Sequence, residues 1–373
     1  MLLTPLAFAG LAVGAPLPAP RAPRPPAAAT DCGHVRGKGG ASPNAMLADY
    51  ADWVAGYSKA DTTSAYAMYA KSAQQTFWGM RRSKLQPINT FAEKHLAAAR
   101  SARTVLYPFG GGDFVFVSAL FPTADTIVLL GLEPVGTIFD WRSQEPERRS
   151  AFLVGLGRSM NLSNRMGFFG TVEMREDFAD SLVNGVVHPV LVYMRWQQAR
   201  PQRMARFDPR NPEKELAPGR GGRGLRLCTR NPTTGHETVF EYVSADLSDR
   251  GLQRDSSSLA YLRRWKAPTV FLKAASYLLH RPTFSRVRTL LLEQAGAIVQ
   301  DDSGMPLSAL ASSFPDVRVF GTYERPIALF KDRFQPDLLK RYQETPAEPI
   351  GFTFGYSSTL GASNLQYATR RTQ

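Results

Sequence analysis

From Pro43 onward the chain carries two hydrophobic rhythms in succession. The first is helical. Leu47, Tyr50, Val54 and Tyr57 recur at three- and four-residue spacing, and Tyr66, Tyr69, Ala73 and Phe77 do the same after Asp61, a residue able to cap a helix. Thr90 and Glu93 have the spacing of a capping box, which predicts a third helix running to about Arg103. Residues 44–103 therefore read as a helical segment whose aromatics form core rather than a ligand-stacking surface.

The second rhythm is made of short apolar runs separated by turns and helices. Thr104 to Tyr107 is a strand, broken by Pro108-Phe109-Gly110-Gly111-Gly112-Asp113. An apolar helix from Phe114 to Phe121 follows, then a strand from Thr126 to Leu132 that ends at Glu133-Pro134. Strand, glycine turn, helix, strand implies parallel pairing. A helix follows Pro146 with Phe152, Leu156 and Met160 on one face, and another runs from about Arg175 to Asn184, stopped by Gly185. Val186 to Trp196 is strand-like, with Pro189 placing it at an edge or bulge. Residues 200–224 are a polar, Pro/Gly/Arg-rich exposed loop, and Leu225–Thr229 with Thr238–Val243 form a hairpin.

Beyond Pro268 the alternation resumes, with strands at Thr269–Leu272, Ala297–Gln300 and Val317–Phe320. Helices lie between them at Phe284–Gln294 and Leu307–Ser313. The pattern predicts one α/β domain over 44–373: a mostly parallel, Rossmann-like sheet with flanking helices and the N-terminal helical segment. An inserted antiparallel hairpin with its exposed loop (200–245) and an antiparallel addition near Ile350–Tyr356 complete the expectation.

Residues 1–43 lack periodicity and change the picture in another way. Leu2 to Ala15 is apolar and runs into small residues and a Pro/Ala/Arg stretch, the pattern of a secretory signal although no Lys or Arg precedes it. The reading is export to the periplasm or beyond. Cys32 lies where a lipid-modified cysteine would sit, but Asp31 before it argues against a lipid anchor. Cys32 and Cys228 are the two cysteines and could pair in an oxidising compartment. No later stretch has 18 uninterrupted apolar residues, so no transmembrane span is expected.

Of 373 residues 43% are hydrophobic, enough for a sizeable core, and 45 Lys and Arg against 32 Asp and Glu give a net charge of +13. That surface suits phosphate or other anions. No basic stripe interleaved with aromatics is present, which speaks against nucleic acid.

Four groups of residues follow expected strand ends. Tyr107, Gly110, Gly111, Gly112 and Asp113 occupy the first turn, with Glu133 about 20 residues on. Glycines between strand and helix let ligand atoms approach backbone N–H groups, and an acid ending the next strand is placed to grip a ribose. The plainer alternative is a tight turn with Asp113 as helix cap. Asp301 and Asp302 end a second strand and could act as acid and base or hold a cation, or simply form a turn with Ser303-Gly304. Lys273, Ser276, Tyr277 and His280 follow a third, and Tyr323, Glu324 and Arg325 a fourth. Asp113, Asp301 and Asp302 are the candidate catalytic residues. Tyr107, the three glycines, Glu133, Lys273, His280 and Tyr323 are the candidate ligand contacts. The turns at Tyr107–Asp113 and Asp301–Gly304 are expected side by side at one end of the sheet. There is no phosphate-binding P-loop, no G-x-S-x-G elbow and no metal-spaced His/Cys set, so no metal or particular cofactor is indicated.

Tyr107-Pro-Phe-Gly-Gly-Gly-Asp113, Gly131-Leu-Glu-Pro-Val-Gly136, Asp301-Asp-Ser-Gly-Met-Pro306 and the stretch from Gly321 to Phe330 resemble segments of an uncharacterised family of exported bacterial proteins. The resemblance spans most of the chain from about residue 45 and implies an exported location, with no chemistry attached. The expectation for function is an exported protein that binds, and could process, a small polar or anionic ligand at the carboxyl edge of its sheet. A methyltransferase-like cofactor-binding protein and a non-catalytic envelope protein that binds a partner through the 200–224 loop and the basic surface are the alternatives. Oligomeric state is left open.

Overall fold

The computed structural model describes residues 43–166, 182–217, 220–357 and 359–370. The chain divides into Met1–Asp31 and Cys32–Gln373, and every described residue belongs to the second unit. The signal-like segment, Cys32 and most of the helix expected over 175–184 lie outside the described residues. Cys228 is disulfide-bonded.

Helix α1 (Pro43–Val54) is followed by α2 (Ser64–Met80), which runs through a π-helical turn, Arg81–Leu85, into α3 (Gln86–His95), with a short α4 (Ala97–Arg100) behind it. Two capping expectations change. Thr63 caps α2, accepting from the Tyr66 N–H at 3.3 Å, while Asp61 accepts from the Thr63 N–H and from Trp53 Nε1. Thr90 lies inside α3, so it forms no capping box. Pro87 stands at the start of α3, directly after the π-helical turn.

The remaining elements are β1 (Thr104–Pro108), α5 (Phe114–Leu120), β2 (Thr126–Gly131), α6 (Pro146–Met166), α7 (Val187–Trp196), β3 (Arg200–Asp208), β4 (Asn211–Glu215), β5 (Gly224–Arg230) and β6 (Glu237–Ser244). They continue with α8 (Asp249–Arg254), α9 (Ser256–Arg263), β7 (Thr269–Leu272), α10 (Ser285–Gln294), β8 (Ala297–Gln300), α11 (Leu307–Ser313), β9 (Asp316–Gly321), α12 (Pro336–Glu344) and β10 (Asn364–Thr369). The 187–196 run is therefore a helix, not a strand. It is buried almost all round, so it shows no amphipathic period, and Pro189 is tolerated in its first turn.

The ten strands among the described residues form one sheet in the order β4-β3-β5-β6-β2-β1-β7-β8-β10-β9. The expectation of a mostly parallel, Rossmann-like sheet is overturned. Five strand pairings are antiparallel and four are parallel. The parallel pairings join β6, β2, β1, β7 and β8 in the middle, and antiparallel strands extend the sheet on both sides. Much of the difference lies in 200–215, expected as loop, which forms β3 and β4. Its charged, exposed positions suit the outer strands of a sheet, where lysine and arginine discourage further pairing. Ile350–Tyr356 is not a strand. The antiparallel strand on that side is β10.

Successive residues of β1 and β2 face opposite sides. Val105, Tyr107, Ile127 and Leu129 join the core under α1–α3 and α5–α7, and Leu106, Val128 and Leu130 join the core under α9–α12. Trp53 stacks on Trp141 at 5.1 Å and on Phe152 at 5.5 Å, so aromatics of the N-terminal helices are core. Among the described residues no helix is long and apolar enough to cross a membrane.

Candidate functional site

Because β1, β2, β7 and β8 run parallel, the loops that follow them leave the same edge of the sheet. Three of the four predicted residue groups meet there. Asp113 precedes α5, but its carboxylate makes no cap bond. Instead it accepts from Lys273 Nζ at 2.6 Å and from Tyr107 OH at 3.1 Å. Asp113 and Lys273 are 160 positions apart and both buried. The Lys273 ammonium also lies over the Phe116 ring, 4.1 Å from its centroid.

One loop further along the edge, Asp301 accepts from the N–H and hydroxyl of Ser303 and from the Ala274 N–H at 3.1 Å. Asp302 accepts from Tyr277 OH and, at 2.9 Å, from Asn364 Nδ2. The loop after β7 thus stitches the two groups together: Lys273 reaches back to Asp113, Ala274 and Tyr277 reach forward to the aspartates. Burial, with Asp302's neighbouring charge, pushes the Asp301 carboxyl up to about 7, against the donors from Ser303 and Ala274. Burial also raises Asp302. Two adjacent buried carboxyls cannot both ionise cheaply, so at neutral pH one of them readily holds a proton. Gly355, at φ +67°, packs its backbone on Asp301, where a Cβ would overlap the carboxylate.

The backbone here is strained. Phe109, Ala274, Ser276 and Tyr277 are in left-handed conformations, with φ of 64°, 50°, 53° and 51°, uncommon for residues with a Cβ. Among the described residues only Gln198 and Ala267 are further non-glycine examples. Strain gathered at one edge is held in place by hydrogen bonds, since Ser276 and the Ala274 carbonyl both bind Tyr356 OH.

The other predicted residues stand further out. Glu133 is buried at the end of β2, its backbone carbonyl accepting from Tyr242 OH at 2.8 Å, and a Cβ on Gly111 would lie 3.1 Å from its carboxylate. Gly110 lies against the Tyr107 ring and donates its N–H to Leu130 O, and Gly112 closes the turn by accepting from the Phe114 N–H. His280 packs on Tyr277 at 5.1 Å, and burial drives its imidazole down to about 4, so it is neutral. Tyr323 is behind the aspartates, accepting from the Gln335 N–H while Gln335 Nε2 donates to Asp302 O. Glu324 and Arg325 are exposed and take no part.

Asn364, Ser303 and Tyr356 belong to the site and were not among the expected residues. Asp-Ser in Asp302-Ser303 was readable as turn chemistry, but nothing local marks Asn364 or Tyr356. Among the described residues no group of three His, Cys, Asp or Glu could hold a metal ion. The arrangement can bind polar groups and exchange a proton with them. No family model matches this chain, and no curated protein or solved structure matches it either.

Proposed function

We propose that this is an exported protein that binds a small polar or anionic ligand at the carboxyl edge of the parallel strands. There the Asp301–Asp302 pair takes up or delivers a proton. The observation that carries the reading is the convergence of Asp113, Lys273, Asp301 and Asp302, all buried, on loops that hold four left-handed residues. A fold does not assemble buried charges and strained backbone at one edge for stability, because both cost free energy. Export is supported by the signal-like N-terminal segment and by the disulfide bond of Cys228.

A nucleoside-bearing cofactor of the methyltransferase kind is a second reading for the same edge. It is favoured by the contact of Gly111 with the Glu133 carboxylate, the pairing of glycine turn and acid that grips a ribose. Within the stretch assigned to partner binding in the third reading, 200–208 and 211–215 form β3 and β4 instead of a loop.

The test is a thermal-shift screen of the full chain at pH 7 with small carboxylates, phosphate esters, polyols and S-adenosylmethionine, followed by hydrogen exchange with any hit. The expected hit raises the melting temperature, slows exchange in 109–113, 274–277 and 301–304, and is lost in Asp302→Asn. S-adenosylmethionine as the sole hit, with protection around Gly111 and Glu133, selects the second reading. Protection confined to other regions overturns both.

A further inference from the structure

We infer that Lys84 is the anion-binding residue of the carboxyl-edge site, so that the ligand carries a carboxylate or phosphate group held at Lys84 on the flank of the Lys273–Asp113 pair. The inference rests on the reading of that edge given above and names the chemistry of what binds there.

Lys84 lies in the π-helical turn between α2 and α3, which packs against α5. A π turn widens the helix at one point, and such turns gather at functional sites. The turn directs the Lys84 amine toward Phe116, 5.9 Å from the ring centroid, the same ring that carries Lys273 at 4.1 Å. Lys84 donates to the backbone carbonyl of Asn164 in the last turn of α6. Among the described residues no carboxylate forms an ion pair with it, and Asp113 is already engaged by Lys273 and Tyr107. The chain therefore keeps a largely buried cation, supplied with one carbonyl and one ring face, next to a second cation. Burial, and then the charge of Lys273, push its amine down to about 8, with Asp113 opposing. An oxyanion would supply the missing counter-charge and a charge-assisted hydrogen bond.

The competing role is purely structural: an amine at a helix C-terminus, capping a carbonyl of α6. The two roles part in their response to anions. Isothermal titration of the full chain with inorganic phosphate and with malonate, at constant ionic strength and pH 7, is the experiment. Lys84→Gln should weaken binding of the preferred anion by about tenfold or more, the size of one charge-assisted contact. Lys84→Arg should keep most of it. Lys266→Gln, which removes an exposed positive charge elsewhere, should change nothing. Wild-type affinity should fall as the pH rises through about 8, where the amine loses its proton. Equal binding by Lys84→Gln and wild type, or binding of neither anion by the wild type, overturns the inference. If a neutral hit from the screen still protects the edge loops in that case, the site reading stands and only the role of Lys84 falls.

Discussion

Two buried ion pairs, one within the sheet and one on the loops at its carboxyl edge, are alike in burial and separation and differ in their surroundings. Arg226 and Glu241 face each other across β5 and β6, with side chains 4% and 0% exposed and a separation of 2.6 Å. Their remaining groups are satisfied: Arg226 donates to Pro212 O, and Tyr261 OH donates to the Glu241 carboxylate. The strands around them are in regular register. Lys273 and Asp113 are as buried and as close, at 2.6 Å, but they stand on loops with left-handed residues on both sides. They adjoin two aspartates with raised pKa values and a lysine that, among the described residues, has no carboxylate partner. The first pair fixes the register of an antiparallel hairpin. The second stands in an arrangement that architecture alone does not require, and burial by itself does not tell the two apart.

The largest effect should come from the architectural pair. Glu241→Gln leaves Arg226 buried without a full counter-charge, and a guanidinium cannot shed its proton, so the cost should be about 3–5 kcal/mol. Asp113→Asn leaves a lysine, which can lose its proton, and should cost less while removing ligand protection of the edge loops. Urea unfolding of both variants at pH 7 measures the difference. If Asp113→Asn proves the more destabilising, or Glu241→Gln also abolishes ligand binding, the contrast between the pairs is lost.

A smaller effect sharpens the carboxyl-edge half of the comparison through pH. The Asp301 carboxyl sits at about 7 in the folded protein against an ordinary 3.8. A group whose folded pKa is raised stabilises fully below its unfolded value, and that stability is lost as the pH rises through the folded one. Wild-type stability should therefore carry a component that falls between about pH 4 and pH 7. Asp302→Asn removes the charge that helps raise Asp301, and Tyr277 OH can still hydrogen-bond the amide that replaces the carboxylate. The variant should lose less stability than wild type over that range, seen as converging urea midpoints at low pH and diverging ones at pH 8. Parallel profiles would mean that the pair does not couple.

The sequence displayed the parallel strands well. β7 and β8 are short apolar runs bounded by proline, glycine and polar residues, and their limits agree with the expected ones. The β5–β6 hairpin and β9 were also legible, whereas β3, β4 and α7 were misread for opposite reasons. β3 and β4 are polar because they lie toward the edge, so they read as loop. The helix α7 is apolar on every side, so it read as strand. Within the site, Asp113 shows what a sequence cannot carry. Its position before α5 suggests a cap, while its actual partner Lys273 lies 160 residues away. Asp301 and Asp302 were visible as adjacent acids after a strand, whereas the residues that tune them, Asn364 and Tyr277, come from separate stretches of chain.

The smallest effect asks whether the edge loop stores strain at all. Ala274 is left-handed, at φ 50°, a conformation that costs a residue with a Cβ roughly 1–2 kcal/mol. Two partners hold it there: its N–H donates to Asp301, and its carbonyl accepts from Tyr356 OH. Ala274→Gly removes the native strain but adds about 0.5–1 kcal/mol of unfolded-state entropy. The balance should be neutral to slightly stabilising, by up to about 1 kcal/mol. Ala205→Gly in β3 removes no strain, because Ala205 sits in regular pairing with Arg226, and should destabilise by about 0.5–1 kcal/mol. Opposite signs for the same substitution would locate the strain at the carboxyl edge and not in the antiparallel wing. The relaxed loop should also hold Asp301 less firmly, so hydrogen exchange at 274–277 should quicken while exchange in β3 stays as it was. If Ala274→Gly instead destabilises as much as Ala205→Gly, the loop is at rest, and the left-handed residues no longer distinguish the edge from the wing.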